Sequence, residues 1–272
     1  MEPSWTAAIL IYIGSFGPLV SAAAVTWLRG EDVRAWAKQI INWRVGWRWW
    51  TVALGLPVAA AALISIGIFA VRGPIDLGRA LPSPLLFAGL FFFALILSGG
   101  LNEEPGWRGF AQARLNERYG AFRASLVIGV VWAGWHLPYF VVPVTPHSSF
   151  PLINQIGWIG GILTLSVILA WAYNNTGSVL IVMVLHAMAN TADVIIPLVP
   201  EQILVDGVIN ERAVGTVTAV HLAVYTLIAL AIVAIYGRQK LAKGEIPDKR
   251  SVGATERTET PPTDSHEVGE RA

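Results

Sequence analysis

The sequence contains no cysteine, which excludes disulfides, thiolate metal sites and a cysteine nucleophile. Charge is scarce. Only 14% of residues are Asp, Glu, Lys or Arg, against about 25% in a soluble domain. Such a chain cannot cover a water-facing surface. With 54% of its residues hydrophobic, it reads as an integral membrane protein. A formal net charge of +1 leaves little electrostatic footprint for nucleic acid. Met1-Glu2-Pro3-Ser4 has no basic n-region, and the apolar run that follows is too long for an h-region. A first spanning helix is therefore expected instead of a cleavable signal peptide. There is no internal repeat strong enough to argue an inverted-repeat transporter.

Long apolar runs are plentiful. A span needs roughly 20 apolar residues, and candidates fall at about 5–28, 50–71, 84–102, 122–142, 156–173, 178–199 and 215–236. The expected fold is an all-α polytopic membrane bundle of about seven helices, a multi-pass protein of the cell membrane. Basic residues cluster after the first span (Arg29, Arg34, Lys38, Arg44, Arg48), after the third (Arg108, Arg114, Arg118, Arg123) and after the seventh (Arg238, Lys240, Lys243, Lys249, Arg250). With an odd number of spans these clusters share one side, which places the N-terminus outside and the C-terminus in the cytoplasm. Trp36, Ile40, Trp43, Trp47 and Trp50 recur at helical spacing among Arg34, Lys38 and Arg48. That pattern predicts an amphipathic helix over 32–50 lying in the interface against membrane lipids. Residues 1–242 are read as one membrane-embedded domain, and the polar, aperiodic 243–272 as a disordered tail.

Ionisable groups inside the apolar runs are few, and each is costly enough to suggest function. Glu103, Glu104 and Arg108 close the third span. His136 lies in the fourth, His186, Asn190 and Asp193 in the sixth, and His221 in the seventh. Asp193 is a candidate supporting residue. His221, one turn from Tyr225, reads as packing, His147 as an exposed loop residue, and His266 as part of the tail.

Spacing assigns duties. Glu104 and Arg108 are four apart, acid first, the favourable order for a helix ion pair. Glu103 is turned about 100° from Glu104 and is left available for proton chemistry. His186 and Asn190 share one helix face. If the third span continues as a helix to about Arg118 and turns at Tyr119-Gly120, residues 103 and 136 stand level, each roughly 25 Å from the turn. His186 comes to a similar depth. Pro105 is the weak point of that helix. Glu, His, His and Asn at one depth suit attack of water on a carbonyl. A carboxylate serves as general base, a histidine orients the water, and amide and imidazole N–H groups meet the oxyanion.

These residues resemble the motifs of the CPBP family of intramembrane proteases (CAAX prenyl protease 2-like, or Abi). The family's Glu-Glu-x-x-x-Arg motif reads Glu103-Glu104-Pro105-Gly106-Trp107-Arg108. Its Phe-x-x-x-His motif reads Trp132-Ala133-Gly134-Trp135-His136, with Trp in place of Phe. Its third motif reads His186-Ala187-Met188-Ala189-Asn190. The resemblance covers 103–190. It implies an intramembrane endopeptidase in which Glu103 activates water, His136 assists, His186 and Asn190 stabilise the oxyanion, and Glu104 with Arg108 supports the site. The substrate it implies is a peptide or lipidated peptide. Metal-free catalysis is favoured, and Zn2+ held by Glu103, His136 and His186 is the alternative. Two other classes remain open: a proton-coupled transporter using Glu103 and His136 as a relay, and a non-catalytic immunity or scaffold protein of the same fold.

Overall fold

Apolar helices dominate because a chain in hydrocarbon must satisfy its backbone hydrogen bonds within each segment. The computed structural model describes residues 5–73, 82–142, 148, 150–192, 204–205 and 208–248. In order, the helices are α1 (Trp5–Ser15), α2 (Gly17–Leu28), α3 (Val33–Ile40), α4 (Trp47–Arg72), α5 (Pro84–Leu97), α6 (Glu104–Gly106), a π-helical turn (Trp107–Gln112), α7 (Ala113–Tyr119), α8 (Ala121–Trp135), α9 (Pro138–Val141), α10 (Leu152–Thr176), α11 (Val179–Ala192) and α12 (Glu211–Tyr236). A two-residue antiparallel ladder, Leu204–Val205 against Val208–Ile209, precedes α12. The protein is an all-α helical bundle.

Every expected span has a helix, but not every helix has spanning length. α4, α8 continued through α9, α10 and α12 are long and apolar enough to cross a membrane. α1 and α2, bent by 41°, count as a fifth if taken as one span. α5, in the third candidate span, has 14 residues, roughly 21 Å of helix and short of a hydrocarbon core of about 30 Å. α11, in the sixth, is described for 14 residues, up to Ala192. α11 is buried on nearly every side, packed among α4, α5 and α10. A helix apolar all round belongs in such a core, and its sequence alone does not separate this role from a span.

Two further expectations are corrected. The third span does not run on to Arg118. It stops at Leu97, and Ser98–Glu103 is irregular before α6 begins. Gly99 adopts φ +114°, a backbone that L side chains rarely take, and Pro105 is placed where a restarted helix tolerates it, in the first turn. The interfacial helix over 32–50 is likewise broken. α3 is capped by Asp32, whose carboxylate accepts from Arg34 N and Ala35 N. It ends at Ile40, and Trp47 and Trp50 belong to α4. Trp36 is 4% exposed and packed in protein. Trp43 and Trp47 are exposed, with the Arg44 and Arg48 guanidiniums over their rings.

After α12 the chain folds back on the bundle. Ala121 N and Phe122 N donate to the carbonyls of Gln239 and Arg238, and Leu241 is fully buried. Residues 243–248 continue without regular structure. The rest of the expected tail, with His266, lies outside the described residues, as do His147 and Asp193.

Candidate active site

From Glu104 the chain passes through a short α-helix into a π-helical turn, where the usual i−4 pairing is lost. α3 adds side-chain donors to carbonyls here. Trp36 Nε1 donates to Pro105 O at 3.2 Å, and Gln39 Nε2 approaches Gly109 O at 3.4 Å. Gln39 Oε1 in turn accepts from Tyr173 Oη at 2.7 Å. Gly106 packs so closely on α2 that an added Cβ would lie 2.4 Å from Pro18 O. The acidic pair is thus clamped from two sides.

Glu104 faces inward. Its Oε2 is 3.5 Å from Arg108 Nη1, with both side chains wholly buried. Its Oε1 bonds His186 Nδ1 at 2.7 Å. Arg108 Nη2 donates to Ser166 O and Ser166 Oγ, each at 3.1 Å, and Ser166 Oγ donates to Ser125 O. The Arg108 guanidinium also lies 5.6 Å from the Trp132 ring centroid. A buried ion pair needs further hydrogen bonds and packing; these contacts supply part of them, and Glu104 Oε2, Arg108 Nε and Arg108 Nη1 make no hydrogen bond among the described residues.

Glu103 faces the other way. Its Oε1 is 3.8 Å from His136 Nε2, too far for a direct hydrogen bond. His136 Nδ1 lies 2.9 Å from Trp132 O. A carbonyl only accepts, so Nδ1 carries a proton, and in the neutral ring this tautomer leaves the Nε2 lone pair toward Glu103. Two acceptors at this spacing suit a bridging water that donates one proton to each. Glu103 Oε2 is buried without a hydrogen bond. The Trp107 and Trp132 indoles interact with this carboxyl, although neither N–H reaches good hydrogen-bond geometry.

A cavity of about 550 Å³ opens beside these groups, lined by Glu103, His136, His186 and Asn190. Four of the six predicted site residues therefore meet at one cavity. The other two, Glu104 and Arg108, sit behind it. Asn190 Nδ2 donates to Ser98 O at 2.8 Å, and the His186 ring stands edge-on to Trp132 at 5.1 Å. Gly99 lies against both: an added Cβ would be 2.5 Å from His186 Nε2 and 3.0 Å from Asn190 Nδ2. Asn102 Oδ1 accepts from Gly99 N at 2.8 Å and shapes this loop.

Zinc held by Glu103, His136 and His186 would need the three to converge. Among the described residues no three His, Asp or Glu side chains form a set that could hold a metal ion. With His186 Nδ1 held by Glu104 and His136 Nδ1 by Trp132 O, a metal would have to be met by the two Nε2 atoms and Glu103.

Sequence reasoning missed Asn102, Gly99, Ser166 and Ser125. Asn102 had a signal, a polar residue directly before the acidic pair. The two serines had none, being small residues in apolar helices. The far wall of the cavity was missed as well, where Asn154 and Trp158 of α10 face Thr218, His221 and Tyr225 of α12. The rings of His221 and Tyr225 stack at 4.6 Å with planes 6° apart. They pack together as their spacing suggests, and they also line the cavity.

Residues 82–192, which carry all three motifs, match the family model for type II CAAX prenyl endopeptidase Rce1-like proteins. A CAAX prenyl protease 2 of Methanococcus maripaludis is 28% identical over 149 residues, 50% of this chain and 54% of that protein. The chain spans about half the length of this curated relative. Through the segment that builds the site, the chain is similar to the Rce1-like CAAX prenyl endopeptidases of the CPBP family.

Proposed function

We propose that the protein is an intramembrane endopeptidase that uses Glu103 to activate water without a metal ion. The observation that carries this reading is the pairing of two acceptors, Glu103 Oε1 and His136 Nε2, 3.8 Å apart at the cavity wall. Water bridging them has both protons engaged and a lone pair free for a carbonyl carbon. As the water oxygen bonds to that carbon, Glu103 takes its proton and the carbonyl becomes an oxyanion. Asn190 has a second amide proton for that oxyanion. His186 has Nε2 when its ring is doubly protonated, with Nδ1 held by Glu104. Glu103 then returns the proton to the leaving nitrogen as the C–N bond breaks. Glu104, Arg108 and Ser166 hold His186 in place and touch no substrate.

The name of the archaeal relative and a largely apolar cavity wall (Ile162, Leu165, Val214, Val217, Leu222) favour a lipidated or extended apolar peptide as substrate. The basic residues that follow α2 and α12 support a cytoplasmic side for those ends and an N-terminus outside. The test uses purified protein in detergent with a quenched peptide library and a farnesylated CAAX peptide. Wild type should cleave after exhaustive chelation, and Glu103→Gln should lose at least about a hundredfold. Undiminished cleavage by Glu103→Gln overturns the assigned base. Loss of cleavage on chelation, restored by Zn2+, overturns the metal-free mechanism.

A further inference from the structure

The wall of the cavity across from the acidic pair contains an unanswered acceptor. α10 and α12 come so close at Gly157 that an added Cβ would lie 2.3 Å from Thr218 Cγ2. One turn earlier, Asn154 Nδ2 donates to Thr218 Oγ1 at 3.0 Å. Thr218 Oγ1 donates its own proton to Val214 O at 2.9 Å. This fixes the Asn154 amide. If it were flipped, its oxygen would face a hydroxyl whose proton is already used. Asn154 Oδ1 is therefore the free end. It is buried and has no hydrogen-bond partner among the described residues. Asn154 is 2% exposed, so bulk water does not supply the missing donor, yet the residue lines the cavity. Buried acceptors are nearly always satisfied, and an exception calls for an occupant.

The position suits a substrate. Trp158, one turn on from Asn154, meets the His136 ring edge-on at 5.1 Å. Asn154 thus stands within roughly 10 Å of the His136 ring, a reach of about three residues of extended chain. Gly161 has open space where a side chain would stand, and Gly157 and Gly161 both line the cavity between these points.

We propose that the α10–α12 wall is a substrate subsite in which Asn154 Oδ1 accepts a backbone N–H of the bound peptide about three residues from the scissile bond. This rests on the cavity being the protease site. Recognition here would be of the peptide backbone, beside an apolar wall that takes side chains or lipid.

Binding is measured on the Glu103→Gln protein, so the result does not depend on turnover. The probe is a fluorescent farnesylated CAAX peptide, together with a series methylated at one backbone nitrogen at a time. Methylation at a single position should weaken binding about tenfold in otherwise unmodified Glu103→Gln protein, and that penalty should shrink to under about twofold when Asn154→Leu is added. Thr218→Ser, which keeps the hydroxyl that orients the Asn154 amide, should retain the penalty. A uniform response to methylation, a position-specific penalty that survives Asn154→Leu, or no saturable binding each overturns the subsite. Because cleavage by wild type is scored separately, binding with the Asn154 signature but no turnover would fail the protease reading and leave the subsite standing.

Discussion

Gly99→Ala is a minimal change with a large expected consequence. Two effects act together. Gly99 has φ +114°, and holding an L residue in so sparse a region costs on the order of 1–3 kcal/mol. The new methyl would also lie 2.5 Å from His186 Nε2, 2.6 Å from His186 Cε1 and 3.0 Å from Asn190 Nδ2. To reach ordinary contact the imidazole must retreat by roughly 1 Å. It has little room to do so, being tied to Glu104 Oε1 at 2.7 Å and packed against Trp132. A displacement of about 1 Å at reacting groups costs about a hundredfold in rate. Gly99→Ala should therefore lower kcat/KM about a hundredfold on the best-cleaved library peptide, in protein that still elutes as a single species in detergent. Gly30→Ala is the control. Gly30 is also at positive φ, +69°, but nothing lies within 4 Å of the added carbon. It should lose stability to backbone strain and keep its activity. The reasoning is refuted if Gly99→Ala stays within about threefold of wild type, or if Gly30→Ala loses as much activity.

Two further outcomes test the supports around the site. Gln39→Leu strands the buried Tyr173 hydroxyl that now donates to Gln39 Oε1, and should destabilise the protein by about 1–3 kcal/mol. Adding Tyr173→Phe removes the stranded hydroxyl and should recover part of that loss in detergent thermal melts, the Gly109 carbonyl still lacking its Gln39 donor; if the double variant is as unstable as the single, the pair does not act through this bond. The second concerns pH. Burial pushes the Glu31 carboxyl up, but its bond to Arg29 and the charge and hydrogen bond of Arg114 outweigh this and hold it below its ordinary value. A depressed acid contributes stability that is present above the unfolded value of about 4.3 and is lost as pH falls through the folded value. Glu31→Gln should thus lower the melting temperature at neutral pH and leave a shallower decline on acidification; an unchanged acid limb would show that this cluster does not contribute to it.

The relative levels of Glu103 and His136 were legible in the sequence even where the path between them was misjudged. The expected continuous helix from α5 to Arg118 does not exist, yet Glu103 and His136 do face each other. The match depended only on the stretch from Glu103 to the turn at Gly120, where φ is +75°, and back along α8. α6, the π-helical turn and α7 cover that stretch without a gap, so the count of residues on either side of the turn still set their relative depth. The failure at Ser98–Glu103 lay outside it. Trp36 shows a different limit. A tryptophan on a basic amphipathic stretch has the same sequence signature whether it meets lipid headgroups or a carbonyl of a restarted helix. Which one it meets depends on Pro105, 69 residues away.

The acidic pair shows where local spacing stops. The four-residue interval assigned Glu104 to Arg108, and their atoms approach as that interval requires. No interval in the sequence linked Glu104 to His186, 82 residues away. That contact gives His186 two positions at once, in the cavity wall through its ring and in the buried ion cluster through Nδ1. Substituting His186 therefore removes a candidate oxyanion donor and also leaves a wholly buried carboxylate with one partner fewer, a change costly to folding. Among the described residues Asn190 has no such second tie to the ion pair; its amide donates to the Ser98 carbonyl. Of the two, Asn190 is where a loss of activity reports on the oxyanion with least interference from stability.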